Sequence, residues 1–228
     1  GEFQSRPGPV MAQVVLVDEI NRATPKTQSA LLEAMEERQV TVDGVTHKMP
    51  SPFMVMATQN PIEYEGTFPL PEAQLDRFLI RVNLGYPKAD DEVTILDKQQ
   101  VNHPVDSLSS VTEPSEIAQV QGAVREVYID PIIKQYIVAV VGATREHEDV
   151  YLGASPRGSI ALLRTSQASA LLDGRDYVIP DDVKDLVFVS LEHRIIISPG
   201  ARVKGTTAAD ILADCLGRVA VPGTRPKA

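Results

Sequence analysis

Two adjacent acidic residues, Asp18 and Glu19, directly follow the apolar run Val14–Val17. A short uninterrupted run of this kind predicts a strand that is buried on both faces of a parallel sheet. Ligands of open α/β sheets bind beyond the carboxyl ends of the strands, which is where this pair lies. One carboxylate could bind Mg²⁺ while the other activates a water molecule for attack on a phosphate. Taken alone, the pair is better explained as a strand that ends in a solvated loop.

A second apolar run, residues 53–57, ends in the polar residues Thr58, Gln59 and Asn60. If the two strands are parallel, Asn60 lies at the same edge of the sheet as the acidic pair. A short amide at that edge could hold an attacking water molecule against a phosphate. Asparagine before proline is also an ordinary turn residue, and the turn is the better explanation of Asn60 by itself.

Two arginines are candidates for binding phosphate. Arg157 is predicted in the first turn of a helix that begins after Ser155, where the helix dipole is already positive and favours a bound anion. Arg77 lies in a segment stiffened by Pro69 and Pro71. A rigid arginine at the rim of a sheet suits an arginine finger that reaches into a neighbouring subunit. The alternative for both arginines is an ion pair with a nearby carboxylate.

The elements that must position these residues change character near residue 86. The sequence before that point predicts a helix at 25–38 with Thr24 as its N-cap, a hairpin at 39–48 around Asp43-Gly44, and strands at 14–17, 53–57 and 78–84. Beyond residue 87 it predicts no strand, and helices at 90–101, 116–128, 131–146, 156–172, 181–191 and 207–219. We therefore expect an α/β part at residues 1–86 and an all-helical part at residues 87–228.

Composition narrows the class of protein. The 228 residues carry a formal net charge of −9, which argues against a nucleic-acid coat because that function needs a basic face. The single cysteine, Cys215, fits a reducing compartment. No apolar run approaches the roughly 18–20 residues that span a bilayer, and no signal peptide is visible, so we expect a soluble cytoplasmic protein. The histidines lack metal-ligand spacing and are expected at surface or capping positions: His47, His103, His147 and His193.

In their fixed order, these motifs resemble the AAA+ ATPases, and specifically the MoxR family. The resemblance covers nearly the whole chain and is densest between residues 7 and 87. The matching segments are long and ungapped, at residues 18–23, 26–35, 39–44, 57–61 and 70–78. The resemblance implies α/β architecture: a partial AAA+ three-layer parallel-sheet core followed by an all-α lid domain.

The resemblance implies a role for each candidate residue. Asp18 would be the Walker B residue that binds Mg²⁺, and Glu19 the general base. Asn60 would be the sensor-1 residue that orients the attacking water. Arg77 would be an arginine finger acting in trans, and Arg157 the sensor-2 arginine that reports the γ-phosphate to the lid. ATP and Mg²⁺ are the implied cofactors, with Asp18, Glu19, Asn60 and Arg157 in contact with the nucleotide.

The resemblance also implies a homo-oligomeric, hexameric ring with a chaperone-like role on protein clients, von Willebrand A-domain proteins among them. The alternatives are a metal-chelatase motor subunit, a helicase motor subunit, and a non-catalytic binding or assembly module. The acidic net charge argues against the helicase. The P-loop pattern G-x-x-x-x-G-K-[S/T] does not occur in the 228 residues. We therefore expect the C-terminal part of a larger ATPase, inactive alone, with one sheet face uncovered.

Overall fold

The computed structural model describes residues 8–42, 44–60, 67–101 and 104–223. The helices and strands described before residue 87 are β1 (Val14–Val17), α1 (Pro25–Glu37), β2 (Gln39–Val42), β3 (Val45–Lys48), β4 (Met54–Ala57) and α2 (Glu72–Leu75). Those described after it are α3 (Ala89–Val101), α4 (Pro114–Glu126), α5 (Pro131–Glu146), β5 (Val150–Leu152), α6 (Pro156–Leu172), α7 (Pro180–Leu191), β6 (Ile196–Ile197), α8 (Pro199–Val203) and α9 (Ala208–Arg218). The chain is therefore α/β at its start and mainly helical beyond, and the α/β class that the sequence predicted is confirmed.

Strands β1 and β4 pair in parallel, with Val17 opposite Ala57. Both strands therefore end at the same edge of the sheet, and this confirms the parallel arrangement that the sequence required. The helix between them also begins where predicted. The Thr24 side chain accepts the Thr27 N–H at 3.4 Å and Pro25 occupies the first turn.

The hairpin of β2 and β3 confirms the prediction from Asp43-Gly44. The two strands pair antiparallel with Val42 opposite Val45, and Gly44 has a φ of +81° that suits glycine in a tight turn. Asp43 itself lies outside the described residues.

One face of the parallel pair is exposed, which corrects the expectation that both strands are buried on both faces. The exposed side chains alternate along the strands: Val14 at 56%, Leu16 at 64%, Met54 at 51% and Met56 at 41%. The opposite face packs towards α1, where Ile20, Leu32 and Leu70 form a small buried cluster. Helix α1 covers one face of the pair and leaves the other exposed, which confirms the expectation of an uncovered sheet face.

The prediction of a strand at residues 78–84 is wrong. Among the described residues no strand pairs with this segment, and the Arg81 N–H donates instead to the Val189 carbonyl of α7 at 2.8 Å. An apolar run adopts strand structure only where a neighbouring strand accepts its hydrogen bonds, and here a helix lies beside it.

The helices beyond residue 87 form their own hydrophobic core. Asp130, Ser155 and Thr207 cap α5, α6 and α9. The first two of these helices begin where the sequence predicted, at residues 131 and 156. Along α5, Ile132 is half exposed, whereas the apolar residues that follow it on the same side are buried: Ile133, Tyr136, Ile137, Val140 and Val141. The expectation of no strand in this region is wrong, because β5 and β6 pair antiparallel. Both are only two or three residues long, too short to give a period in the sequence.

Candidate functional site

Thr58 organises the edge at which β1 and β4 end. Its hydroxyl donates to Asp18 Oδ1 at 2.6 Å and accepts the Glu19 N–H at 2.8 Å. Its backbone N–H donates to the Val17 carbonyl at 2.9 Å, and its carbonyl accepts the Ile20 N–H at 3.0 Å. Four hydrogen bonds thus hold the acidic pair in one geometry against the neighbouring strand.

Glu19 leaves the strand in a left-handed conformation with a φ of +48°. Such a backbone is uncommon for a residue with a side chain and costs about 1 kcal/mol or more, so it persists where surrounding contacts hold it. The Glu19 carboxylate pairs with Arg22 at 2.8 Å while the Asp18 carboxylate faces Thr58. The two acids therefore diverge because the chain turns, and not only because strand residues alternate.

The loop after Glu19 is held by Gln28, a buried residue of α1. Its amide Nε2 donates to the carbonyls of Ile20 at 3.1 Å, Ala23 at 3.2 Å and Phe68 at 2.9 Å. These contacts join the loop, α1 and the segment before α2, so Gln28 is a positioning residue for the acidic pair. Nothing in its spacing marks it in the sequence.

Asn60 lies three residues beyond the end of β4, and its side chain is exposed. Because β1 and β4 are parallel, Asn60 follows the strand end that adjoins Asp18 and Glu19. Pro61 lies outside the described residues, so the turn that competed as an explanation of Asn60 cannot be described.

The donor atoms at this edge fit Mg²⁺ delivered with a nucleotide. The Asp18 carboxylate is exposed and uses one oxygen to accept the Thr58 hydroxyl. Mg²⁺ binds through one or two carboxylates together with substrate phosphates and water. No group of three or more acidic, histidine or cysteine residues among the described residues could form a closed metal site.

Arg77 and Arg157 come together on one carboxylate, that of Glu36 at the end of α1. Arg77 Nη1 lies 2.5 Å from Glu36 Oε2 and also donates to the Leu32 carbonyl at 3.4 Å. Arg157 Nη2 pairs with the other oxygen, Oε1. The ion pairs that the sequence left open as an alternative are therefore present, and both arginines share the same partner.

A partly buried connection joins the segment of Arg77 to the start of α6. Asp76 accepts the hydroxyl of Ser155, the N-cap of α6, at 3.0 Å, and the Nε–H of Arg194 at 3.0 Å. The buried Arg194 side chain also donates to the carbonyls of Phe78 at 2.6 Å and Leu79 at 3.2 Å. We call these three residues, Asp76, Ser155 and Arg194, the latch. They position both candidate arginines, because Asp76 directly precedes Arg77 and Ser155 caps the helix that carries Arg157.

Two glycines allow α6 to approach its neighbours closely. A Cβ at Gly153 would lie 2.7 Å from the Arg145 backbone, and one at Gly158 would lie 2.9 Å from Leu191 Cδ2. Neither position has room for a larger residue without displacement. Arg157 therefore sits between two points of close packing, which fixes where its helix starts.

The histidine expectation is wrong for His193, which is buried beside the latch. Its Nε2 lies 3.1 Å from the Phe78 carbonyl oxygen and 2.8 Å from Arg194 Nη1, and its Nδ1 has no partner among the described residues. Burial, reinforced by the charge of Arg194, lowers the pKa of His193 to about 4. His147 is buried as well, but it accepts the Asp149 N–H in a capping contact, while His47 is exposed and His103 lies outside the described residues.

Comparison with known proteins places the chain in a family. Residues 1–80 match the ATPase family associated with various cellular activities (AAA), and residues 142–215 match the AAA lid domain. The chain is 53% identical to YeaC of Bacillus subtilis over 98% of its own length and 70% of that protein. It is 41% identical to Chaperone MoxR1 of Mycobacterium tuberculosis, over 97% of its own length and 60% of that protein.

A solved structure agrees with these relatives. A protein of Cytophaga hutchinsonii named as an ATPase superposes with a TM-score of 0.92 at 35% identity, over 99% of this chain and 70% of that one. The fold and the relatives together define an AAA+ ATPase. The chain belongs to the MoxR family of that class, and it spans 60–70% of the length of these relatives.

Proposed function

We propose that this chain contributes the hydrolytic half of an ATPase site. The observation that carries the proposal is the Thr58-centred arrangement of Asp18 and Glu19 at the shared end of two parallel strands. Asp18 would bind the Mg²⁺ that accompanies ATP, whose charge offsets that of the phosphates. Glu19 would take the proton of the attacking water, and Asn60 would orient that water.

The two arginines supply positive charge for the terminal phosphate. Arg77 and Arg157 already converge on one anionic group, Glu36, so they are spaced to bind a single phosphate together. Because the two arginines would share that phosphate, both would act on nucleotide bound to a neighbouring subunit. This role requires a homo-oligomer, and a hexameric ring is the form we propose.

The work done with ATP would be chaperone-like remodelling of protein complexes. The name of the relative Chaperone MoxR1 supports this class of function, and von Willebrand A-domain proteins are candidate clients. No helix among the described residues is long and apolar enough to cross a membrane. Cys215 is buried and unpaired, so we propose that the protein works in the reducing cytoplasm.

Two further parts of the proposal concern the 228 residues themselves. We propose that the boundary between the α/β core and the lid lies at residues 86 and 87, shortly before α3 begins at Ala89. The 228 residues contain no P-loop pattern, so they alone should bind ATP weakly and not turn it over.

The test is steady-state ATP hydrolysis by the complete gene product. Glu19→Gln should abolish turnover while ATP binding persists, because the amide cannot accept the proton of water. Arg77→Ala should lower turnover by about 10³-fold or more with little change in binding. Glu126→Gln, an exposed substitution of the same chemistry on α4, is the matched control and should behave as wild type.

Two outcomes would contradict the proposal. Hydrolysis that survives Glu19→Gln would remove Glu19 from the role of general base. Loss of ATP binding in Arg77→Ala would mean that this arginine serves its own subunit's site or supports the fold.

A further inference from the structure

The Glu36 carboxylate is shared by two arginines from separate parts of the chain. Each of its oxygens pairs with a different guanidinium, Oε2 with Arg77 and Oε1 with Arg157. Glu36 lies in the last turn of α1, Arg77 follows α2, and Arg157 begins α6. All three side chains are partly exposed, at 34–41%. The contact thus joins three elements at a site that solvent can reach.

The choice of Glu36 is selective, because other acids lie close by. Glu33 and Glu37 belong to the same helix and line the same cavity of about 520 Å³ as Glu36 and Arg77. Neither of them forms an ion pair with a described residue, whereas Glu36 forms two. General attraction between an acidic surface and two cations would not single out one carboxylate.

We propose that Glu36 is a stand-in for the terminal phosphate of the nucleotide. It is a positioning residue that holds Arg77 and Arg157 at the spacing of one anion until a phosphate displaces it. The inference rests on the proposed role of these two arginines in ATP hydrolysis. A carboxylate presents two oxygens to the two guanidinium groups, as one face of a phosphate does.

The carboxylate and a phosphate cannot occupy the site together, because both are anions that need the same donors. Glu36 can give way easily, since it is partly exposed at a helix end and surface ion pairs are weak. Before nucleotide binds, both arginines are therefore held in position, but their guanidinium groups are already paired with Glu36. Phosphate binding must compete with Glu36, and this sets the affinity of the pair of arginines for their ligand.

The test is calorimetric titration of the 228-residue chain with pyrophosphate at low ionic strength. Glu36→Gln keeps the shape of the side chain and removes the competing charge. We expect it to bind pyrophosphate about five- to twenty-fold more tightly than wild type, since two exposed ion pairs are released. Glu37→Gln, on the same helix and cavity wall, should keep the wild-type affinity. The double variant Glu36→Gln/Arg157→Ala should lose the gain.

A purely structural role for Glu36 would lower stability, and a general effect of surface charge would raise the affinity equally in Glu37→Gln. Unchanged or weaker binding in Glu36→Gln, with a wild-type thermal midpoint, would therefore overturn the inference, as would an equal gain in Glu37→Gln. A variant that melts early without a gain in affinity would overturn it too, by making Glu36 a structural residue. The proposed ATPase function fails separately, through hydrolysis that is independent of Glu19 in the complete gene product.

Discussion

Thr58 shows how one hydroxyl can organise a pair of catalytic candidates. It donates to Asp18 and accepts from the Glu19 backbone, so it fixes both the carboxylate expected to bind Mg²⁺ and the left-handed turn that directs Glu19. Side chains that orient metal ligands without binding the metal themselves commonly matter almost as much as the ligands. Thr58 is placed to act in that way.

We predict that Thr58→Val lowers ATP turnover of the complete gene product by about 10- to 100-fold, since valine has the shape of threonine without its hydroxyl. Thr58→Ser keeps the hydroxyl and should stay near wild type. Steady-state kinetics over a range of Mg²⁺ concentrations would measure the effect. Equal rates for the valine and serine variants would show that the hydroxyl is dispensable.

At the scale of elements, the latch connects the lid to the segment that carries Arg77. Arg194 ends the helical stretch after α7. Its guanidinium group donates to the Asp76 carboxylate and to the backbone carbonyls of Phe78 and Leu79. His193 lies beside it, with Nε2 3.1 Å from the Phe78 carbonyl oxygen of the same segment. Separating the lid from this segment would leave the buried Arg194 without its carboxylate partner Asp76, which is strongly destabilising. The lid and this segment should therefore move as one unit.

We predict that protonation of His193 weakens the fold. Its pKa is about 4 in the folded chain against an ordinary value of 6.5, so the unfolded chain binds the proton more readily. The stability that neutral His193 contributes is complete above pH 6.5 and falls as the pH drops towards 4, by up to about 3 kcal/mol. Arg194 and Arg81 face the ring and oppose its protonation, while Asp76 favours it.

Urea unfolding of wild type and His193→Gln at several pH values between 4 and 7.5 would isolate this contribution. Acidic residues titrate in both proteins, so only the difference between the two curves reports His193. The wild type should lose more stability than the variant as the pH falls below 6.5. Parallel curves would show that His193 is not buried as a neutral ring in solution.

At the scale of the whole molecule, the exposed face of the parallel pair is an apolar surface built from neighbouring strands. Val14, Leu16, Met54 and Met56 all project from this face, on strands that α1 covers only from the other side. Contiguous exposed apolar side chains favour association between molecules. We therefore expect this face to favour self-association of the 228-residue chain.

We predict that Leu16→Thr/Met54→Thr reduces self-association of the 228-residue chain, because threonine keeps the preference for strand structure and removes apolar area. Leu172→Thr/Val203→Thr, at two exposed positions on the lid helices, is the matched control. Sedimentation velocity at increasing concentration would measure both variants. If the control lowers association as much as the strand variant does, this face is not the cause.

The sequence by itself determined the features that depend on near neighbours. The caps at Asp130 and Ser155 set the starts of two helices, since they need only the N–H groups of the following turn. The acidic pair was recognisable for a similar reason, because an apolar run ending in Asp18 and Glu19 is a local pattern. The motifs that indicate the MoxR family are local in the same sense, because each is a short run of neighbouring residues.

Only the tertiary structure decided which distant residues meet. The segment 78–84 is apolar enough for a strand, but it lies beside α7 and bonds to Val189. Glu36 is indistinguishable in the sequence from Glu33 and Glu37, yet it alone of the three pairs with Arg77 and Arg157 among the described residues. Arg194 likewise gains its role only when the lid packs on the core. Such contacts depend on how whole elements pack, and no local pattern of residue types encodes them.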